Sequence, residues 1–211
     1  MSKELQKRIL SSIILLPITF FFIIKGSIFF IFFLSLIFLA ASYEWFKMSK
    51  NNKLIRIFGI IFLLFSFFIA FHLRENSLNF FLLIVIVCIF TDIGGYIFGK
   101  IFKGPKLTKI SPNKTYTGVI GSFLISLIAG LIYLDYAGNR EIFIKDHLKI
   151  FLLILFISFV SQLGDLIISY IKRIAKIKDT GSLLPGHGGI LDRLDGIIFA
   201  IPFSYLLIKF F

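Results

Sequence analysis

Residues 78–99 read LNFFLLIVIVCIFTDIGGYIFG, a mainly apolar run about as long as one helical crossing of a lipid bilayer. A crossing needs about 20 such residues, because the hydrocarbon core is about 30 Å thick and a helix rises about 1.5 Å per residue. Six more runs fit or nearly fit that length: 9–24, 27–46, 54–73, 117–134, 148–171 and 194–211. The sequence therefore predicts an all-α polytopic integral membrane protein with about seven transmembrane helices.

The composition of the whole chain excludes soluble and disordered proteins. Of the 211 residues, 58% are hydrophobic and only 16% are charged, and Phe alone occurs 29 times. A soluble domain of this length has too little interior to bury so much apolar surface, and disordered chains have the opposite composition. The single cysteine, Cys88, excludes a disulfide framework. Pro17 breaks the first apolar run, and no small-residue cleavage site precedes Lys25, so we expect that run to remain as a span.

The basic residues predict the orientation. A net charge of +12 would suggest nucleic-acid binding in a soluble protein, but no nucleic-acid-binding pattern accompanies it, and we expect none. With seven spans, 17 of the 23 Lys and Arg fall on one side of the membrane and 6 on the other. Cytoplasmic loops carry such an excess. We therefore expect the N-terminus and the cation-rich loops in the cytoplasm, and the protein in the cell's inner (cytoplasmic) membrane.

Polar residues concentrate in segments 91–118 and 161–196, which also hold the clustered carboxylates: Asp92, Asp165, Asp179, Asp192 and Asp195. An ionisable residue inside a span, such as Asp165, is costly and is usually functional. Asp192 and Asp195 are three residues apart, so they share one face of a helix, and paired carboxylates suit Mg²⁺. The alternatives are a structural partner for a lysine at Asp165 and a simple acidic helix start at Asp192.

Phosphate-type donors lie in the same two segments. The glycines of PGHGG (185–189) let backbone N–H groups approach phosphate oxygens, and His187 could bind a phosphate or transfer a proton. A tight turn with a solvated histidine is the alternative. Further cationic and hydroxyl side chains could bind phosphate. The alternatives are an ordinary positive loop for the cations and helix capping for the hydroxyls. These residues are Ser111, Lys114, Thr115, Lys172, Arg173 and Lys178. Carboxylates with phosphate donors at the membrane surface indicate phosphoryl or nucleotidyl transfer to a lipid.

The run Ser169–Asp195, read as S-Y-I-K-R-x4-K-D-x-G-x2-L-P-G-H-G-G-I-L-D-R-L-D, resembles the signature of the phosphatidate cytidylyltransferases, or CDP-diacylglycerol synthases. Gly164-Asp165 and the S-P-x-K-T loop at 111–115 resemble further landmarks of that family, so the resemblance covers about residues 90–200. Three positions depart from its usual pattern: Asn113, Thr117 and Ile168.

The resemblance implies that CTP and phosphatidate give CDP-diacylglycerol and pyrophosphate, and that the enzyme acts as a homodimer in the bilayer. It implies Mg²⁺, with a second cation in a paired-metal centre, held by Asp165 and Asp192 with Asp195 in support. His187 joins these three as a catalytic residue. The resemblance also divides the chain into N-terminal membrane helices (1–76) and a catalytic membrane domain (77–211) whose site faces the cytoplasm. Substrate-binding residues are then expected at Ser111, Lys114, Thr115, Lys172, Arg173, Lys178, Asp179, Gly188, Gly189 and Arg193.

Two other classes of protein, a transporter and a membrane scaffold, are alternatives. An ion or solute transporter would use intramembrane carboxylates to carry protons or cations, and would show broken helices in two related halves. This chain instead concentrates its polar residues in the C-terminal half. A membrane scaffold without activity would leave the spacing of carboxylates and glycines unexplained. The motif of the CDP-alcohol phosphotransferases, another group of lipid enzymes, is not found.

Overall fold

The computed structural model describes residues 3–108, 110–111, 114–137, 147–183, 186 and 188–208. Within those residues the regular structure is helical, apart from one isolated bridge between Lys106 and Thr115. This confirms the predicted all-α fold. The helices are α1 (Lys3–Lys25), α2 (Ser27–Met48), α3 (Lys53–Asn76), α4 (Leu78–Phe102), α5 (Tyr116–Tyr136), α6 (His147–Ile174), the single turn α7 (Leu191–Leu194) and α8 (Ile197–Ile208).

Five of these helices, α2 to α6, are long and apolar enough to cross a membrane. The chain is therefore a polytopic membrane protein, as its composition predicts. The other two predicted spans also lie on helices: α1 covers the whole run 9–24, and α8 has 12 residues within the last run. The last run was predicted to start at residue 194, but α8 starts at Ile197 because a separate helical turn precedes it. The cytoplasmic N-terminus stays a prediction.

The described chain divides into two compact units. The first consists of the residues up to Asn76 together with Ile171–Asp195, and the second consists of Ser77–Tyr170 and the residues from Gly196 onward. Helix α6 thus belongs to the second unit except for its last turn. The functional boundary at residue 76 concerns where catalysis takes place and not how compactly the chain packs, and it stays a prediction.

In the first unit, α2 and α3 approach closely around Trp45. A Cβ atom on Gly59 would lie 1.7 Å from the Trp45 ring, so only glycine fits there. The indole Nε1 donates a hydrogen bond to the Ile55 carbonyl at 3.1 Å. At the other end of α3, the Arg74 guanidinium donates to the carbonyls of Ile23 and Ile24, at 2.8 Å each, and so holds the end of α1.

In the second unit, small residues bring α4 and α5 together, and hydroxyl groups link them to α6. A Cβ atom on Gly94 would lie 2.4 Å from the Gly121 carbonyl oxygen. Ser122 Oγ donates to the Thr91 carbonyl at 2.7 Å, and Thr91 Oγ1 donates to Ser158 Oγ at 2.8 Å. Close backbones and interhelical hydrogen bonds of this kind hold membrane helices together, because lipid gives no hydrophobic drive for their association.

Candidate functional site

In the first unit, the polar residues predicted from the sequence lie at the end of α6, in the loop 175–190 (the site loop) and on α7. Helix α6 ends in a Schellman motif: Ile177 N–H donates to the Lys172 carbonyl, Lys176 N–H donates to the Arg173 carbonyl, and Lys176 has φ +56°. The motif turns the chain sharply after Lys172. The site loop then returns to α7, which carries Asp192.

The Asp192 carboxylate, on α7, accepts three hydrogen bonds from the end of α6 and from the site loop. Its Oδ1 accepts a hydrogen bond from Lys172 Nζ at 2.8 Å. Its Oδ2 accepts from the backbone N–H groups of Thr180 and Gly189, at 2.8 and 2.9 Å. Gly188 has φ +85°, and a Cβ atom there would lie 2.9 Å from Oδ2. Glycine at 188 therefore permits both the left-handed backbone and the close approach of the carboxylate.

These contacts decide the ionisation of Asp192. Partial burial raises the pKa of the carboxyl, but the hydrogen bonds from Lys172, Gly189 and Thr180, with the positive charge of Lys172, outweigh it. The resulting pKa lies below the usual value for aspartate. Asp192 is therefore an anion at neutral pH, although its side chain is only 7% exposed.

The other predicted site residues of the first unit are near Asp192 in sequence, but they differ in their exposure and contacts. The Arg173 guanidinium donates a long hydrogen bond of 3.5 Å to the Ile177 carbonyl. Asp195 is half-buried and directly follows α7. His187 lies outside the described residues. The exposed side chains of this group are Arg173, Lys178, Asp179 and Arg193.

In the second unit, the structure brings together Lys114 and Asp165. Lys114 Nζ forms an ion pair with Asp165 Oδ2, and Ser169 Oγ, one helical turn further along α6, donates to Oδ1 at 3.3 Å. Hydrogen bonds from Leu107 N–H to the Lys114 carbonyl and from Tyr116 N–H to the Pro105 carbonyl fix the chain on which Lys114 lies. Asp165 therefore has the lysine partner that the structural alternative requires. Such a partner is also compatible with a role for Asp165 in binding.

Ser111 and Thr115 use their polar groups locally. Ser111 N–H donates to Thr108 Oγ1, and its carbonyl accepts from Lys114 N–H. Thr115 is the N-cap of α5, because its hydroxyl oxygen accepts from Gly118 N–H at 3.1 Å. The capping alternative for Thr115 is therefore confirmed. Asp92, at the end of the opening run, is exposed on α4.

Glu44 is a polar residue of the first unit that the sequence reasoning missed. It lies near the end of α2 and is 1% exposed. Its Oε2 accepts from Thr180 Oγ1 and Leu191 N–H, both at 2.9 Å, and its Oε1 accepts from Ile190 N–H at 3.0 Å. The sequence does contain a signal for it: Glu44 is a carboxylate at the end of an apolar span, where ionisable residues are rare and usually functional.

The carboxylates fit Mg²⁺ better than a metal that needs a complete protein cage. Across the described ranges, no group of three or more His, Cys, Asp or Glu side chains lies close enough to hold a metal ion. Mg²⁺ usually binds one or two carboxylates and completes its shell with water and substrate phosphates. Asp192 already accepts three hydrogen bonds, of about four that a carboxylate can accept. Two of the three donors lie on Oδ2 and one on Oδ1, so Oδ1 is the oxygen with room for a cation.

Comparisons with known proteins agree with this chemistry. A model described as the cytidylyltransferase family matches residues 52–211, which include all the predicted site residues. The chain is similar to a protein named phosphatidate cytidylyltransferase from Rickettsia bellii, with 33% identity over 98% of this chain and 94% of that protein. A protein of the same name from Rickettsia typhi is 34% identical, over 95% and 90%. One from Bacillus subtilis is 39% identical over 66% of this chain and 51% of its own length.

Proposed function

Because the chain belongs to the cytidylyltransferase family, we propose that it is a phosphatidate cytidylyltransferase, which makes CDP-diacylglycerol and pyrophosphate from CTP and phosphatidate in phospholipid biosynthesis. The observation that carries the proposal is similarity over nearly the whole chain to relatives named for this activity. The geometry supports it, because an ordered anionic carboxylate, Asp192, lies beside a lysine and a glycine turn in a membrane protein.

The reaction is a substitution at phosphorus. A phosphate oxygen of phosphatidate attacks the α-phosphorus of CTP, and the bond from that phosphorus to the oxygen bridging to the β-phosphate breaks. Pyrophosphate leaves with the electron pair of that bond. Both reactants are anions, so the protein's main tasks are to position them and to neutralise their charge.

The proposed Mg²⁺ ligands are Asp165 and Asp192, with Asp195 in support. Bound Mg²⁺, with a second cation in a paired-metal centre, would neutralise phosphate charge and orient the leaving group. In the structure, a lysine is paired with each of the first two carboxylates: Lys114 with Asp165 and Lys172 with Asp192. Each lysine would be available to bind a phosphate oxygen if a cation bound its carboxylate.

The remaining roles concern the triphosphate and the lipid phosphate. Lysine and arginine bind phosphate through charge-assisted hydrogen bonds, and we assign that role to Lys114, Lys172, Arg173, Lys178 and Arg193. Glycine exposes its backbone N–H to an anion, which is the role proposed for Gly188. The Gly189 N–H donates to Asp192 Oδ2, so the role proposed for Gly189 is to let substrate approach the backbone closely, because it has no side chain. Ser111, Thr115 and Asp179 complete the proposed substrate-binding set. His187 is the proposed proton donor or phosphate contact.

We propose that the site opens to the cytoplasm from the inner membrane. CTP is a cytoplasmic metabolite, and the two polar segments carry clusters of basic residues that are typical of cytoplasmic loops. The clusters are Lys100, Lys103, Lys106, Lys109 and Lys114, and Lys172, Arg173, Lys176, Lys178 and Arg193. The homodimer is proposed on the basis of the family resemblance alone.

The proposal is tested with the purified full-length chain in mixed micelles of detergent and phosphatidate. With CTP and Mg²⁺, mass spectrometry should detect CDP-diacylglycerol. Omission of phosphatidate, or of Mg²⁺ with a chelator present, should abolish the product. Replacement of phosphatidate by diacylglycerol is the matched control, because it removes the attacking phosphate and keeps the acyl chains. Product formed equally well from diacylglycerol would contradict the proposal.

A further inference from the structure

Glu44 has no role in the chemistry proposed above, yet it is among the most buried side chains of the first unit. A carboxylate is expensive to bury unless hydrogen bonds satisfy its oxygens. Three donors do so here: the hydroxyl of Thr180 and the backbone N–H groups of Ile190 and Leu191. All three belong to the site loop or to the start of α7, so Glu44 ties α2 to this part of the chain.

The same stretches of chain also hold Asp192. Thr180 donates twice, with its backbone N–H to Asp192 and with its hydroxyl to Glu44. The N–H of Gly189 points to Asp192, and the next N–H along the chain, that of Ile190, points to Glu44. The two carboxylates thus bind the same two stretches of backbone, around residues 180 and 189–191. A shift of Glu44 must move the groups that orient Asp192.

Glu44 packs so closely against the loop that two loop positions have no room for a side chain. A Cβ atom on Gly189 would lie 2.4 Å from Glu44 Oε2, and one on Gly181 would lie 2.5 Å from Oε1. Side chains at either position would push the carboxylate away. The two glycines therefore permit the close approach of Glu44 to the loop, in addition to any contact that Gly189 makes with substrate.

We propose that Glu44 is a positioning residue for cytidylyl transfer: it fixes the backbone of residues 180 and 189–191 and thereby orients the Asp192 carboxylate. This inference rests on the proposed function and on Asp192 as a Mg²⁺ ligand. Groups that orient metal ligands matter nearly as much as the ligands, and their loss costs about 10- to 100-fold in metal affinity or activity. Glu44 acts through Asp192 and touches no reacting atom.

The first test is Glu44→Gln, which keeps the size of the side chain. The amide replaces one acceptor oxygen by an NH₂ donor, and that donor faces the N–H and O–H donors of the loop. We expect kcat to fall by about 10- to 100-fold. We also expect a smaller rise in melting temperature on addition of Mg²⁺ with α,β-methylene CTP, an analogue that cannot release pyrophosphate. The second readout requires no turnover.

Matched variants separate positioning from folding. Glu75→Gln makes the same change at the far end of α3, where Glu75 pairs with Arg74, and it should leave both readouts at the wild-type level. Thr180→Val removes the hydroxyl that Glu44 accepts, whereas Thr180→Ser keeps it. We expect Thr180→Val to lower kcat and the ligand-induced shift, and Thr180→Ser to retain both. This pair decides the question if Glu44→Gln does not fold.

The outcomes distinguish this inference from the function on which it rests. If the wild-type chain makes no CDP-diacylglycerol, the proposed function fails, whatever Glu44 does. If the wild type is active and Glu44→Gln, corrected for its folded fraction, keeps the wild-type kcat and ligand-induced shift, then Glu44 only stabilises the fold and the inference is overturned. Equal behaviour of Thr180→Val and Thr180→Ser would overturn it as well.

Discussion

The Asp192 carboxylate accepts hydrogen bonds from two backbone N–H groups and from the Lys172 ammonium. Three donors on one carboxylate keep it ionised and hold it in one orientation, which is the preorganisation that phosphoryl chemistry needs. The motif around it predicted a ligand. It did not predict the partners, because Lys172 and Thr180 come near Asp192 only through the folding of the site loop. Glu44 lay further beyond reach, since its partner Ile190 is 146 positions away along the chain.

Asp192→Asn should abolish turnover while the protein still folds. The amide keeps the size of the side chain but removes the negative charge that binds a cation. Because loss of an outer partner of a metal ligand already costs about 10- to 100-fold, we expect kcat to fall by at least about 100-fold. Steady-state kinetics, with a gel-filtration profile as the check on folding, measure this. Near-normal kcat would refute the ligand role, and Glu75→Gln is the control for loss of a carboxylate.

Lys172→Ala should mainly weaken nucleotide binding. A hydrogen bond to a charged group contributes about 1.5–3 kcal/mol, so we expect the KM for CTP to rise about 10-fold or more, with a smaller change in the KM for phosphatidate. Lys172→Arg keeps the charge and should recover part of the CTP affinity. Varying each substrate in turn at saturating amounts of the other measures the two constants. A change in phosphatidate affinity alone would contradict the assignment of Lys172 to the triphosphate.

At the scale of elements, hydropathy located the helices well because bilayer thickness fixes how long a crossing must be. The run 148–171 became helix His147–Ile174, and the run 78–99 became Leu78–Phe102. The last run was misread because α7 and α8 are separate helices, with Gly196 packed against Ser161 between them: a Cβ atom there would lie 2.3 Å from the Ser161 hydroxyl. Hydropathy does not register such a contact.

Gly94→Ala should destabilise the second unit. The added methyl group would lie 2.4 Å from the Gly121 carbonyl oxygen, so α4 and α5 must move apart. Overpacking of this kind costs about 1–3 kcal/mol, against a gain of about 1 kcal/mol in helix propensity. Gly99→Ala gains the same propensity, and its methyl group meets the Thr115 hydroxyl at 3.1 Å and the Gly118 Cα atom at 3.8 Å, an ordinary contact distance. Melting temperatures in detergent should place Gly94→Ala below Gly99→Ala, and the reverse order would contradict the packing account.

At the scale of the whole molecule, the uneven distribution of basic residues predicts an orientation for the chain. Seventeen of 23 Lys and Arg lie on the side predicted to be cytoplasmic, and the positive-inside bias sets the orientation of most membrane proteins. The helices alone do not decide it, since a helix crosses equally well in either direction. The orientation matters for the proposed function, under which CTP would reach the site from the cytoplasm.

A reporter fusion after residue 140 should read as external, and one after residue 178 should read as cytoplasmic. Each position lies beyond a different candidate span in the predicted topology, and the second lies in the site loop. Paired alkaline phosphatase and green fluorescent protein fusions in a bacterial inner membrane make the measurement, because the first is active only outside and the second fluoresces only inside. A cytoplasmic signal from the fusion after residue 140 would contradict the seven-span topology.

The central claim, cytidylyl transfer to phosphatidate, is tested most directly by following two labels in CTP. Purified protein is given phosphatidate, Mg²⁺ and CTP labelled at either the α- or the γ-phosphate, and lipid and water-soluble products are separated. The account predicts α-label in the lipid fraction, as CDP-diacylglycerol, and γ-label in pyrophosphate, in equal amounts. γ-Label in the lipid would indicate phosphoryl transfer instead, and the absence of label from the lipid in both reactions would contradict the account outright.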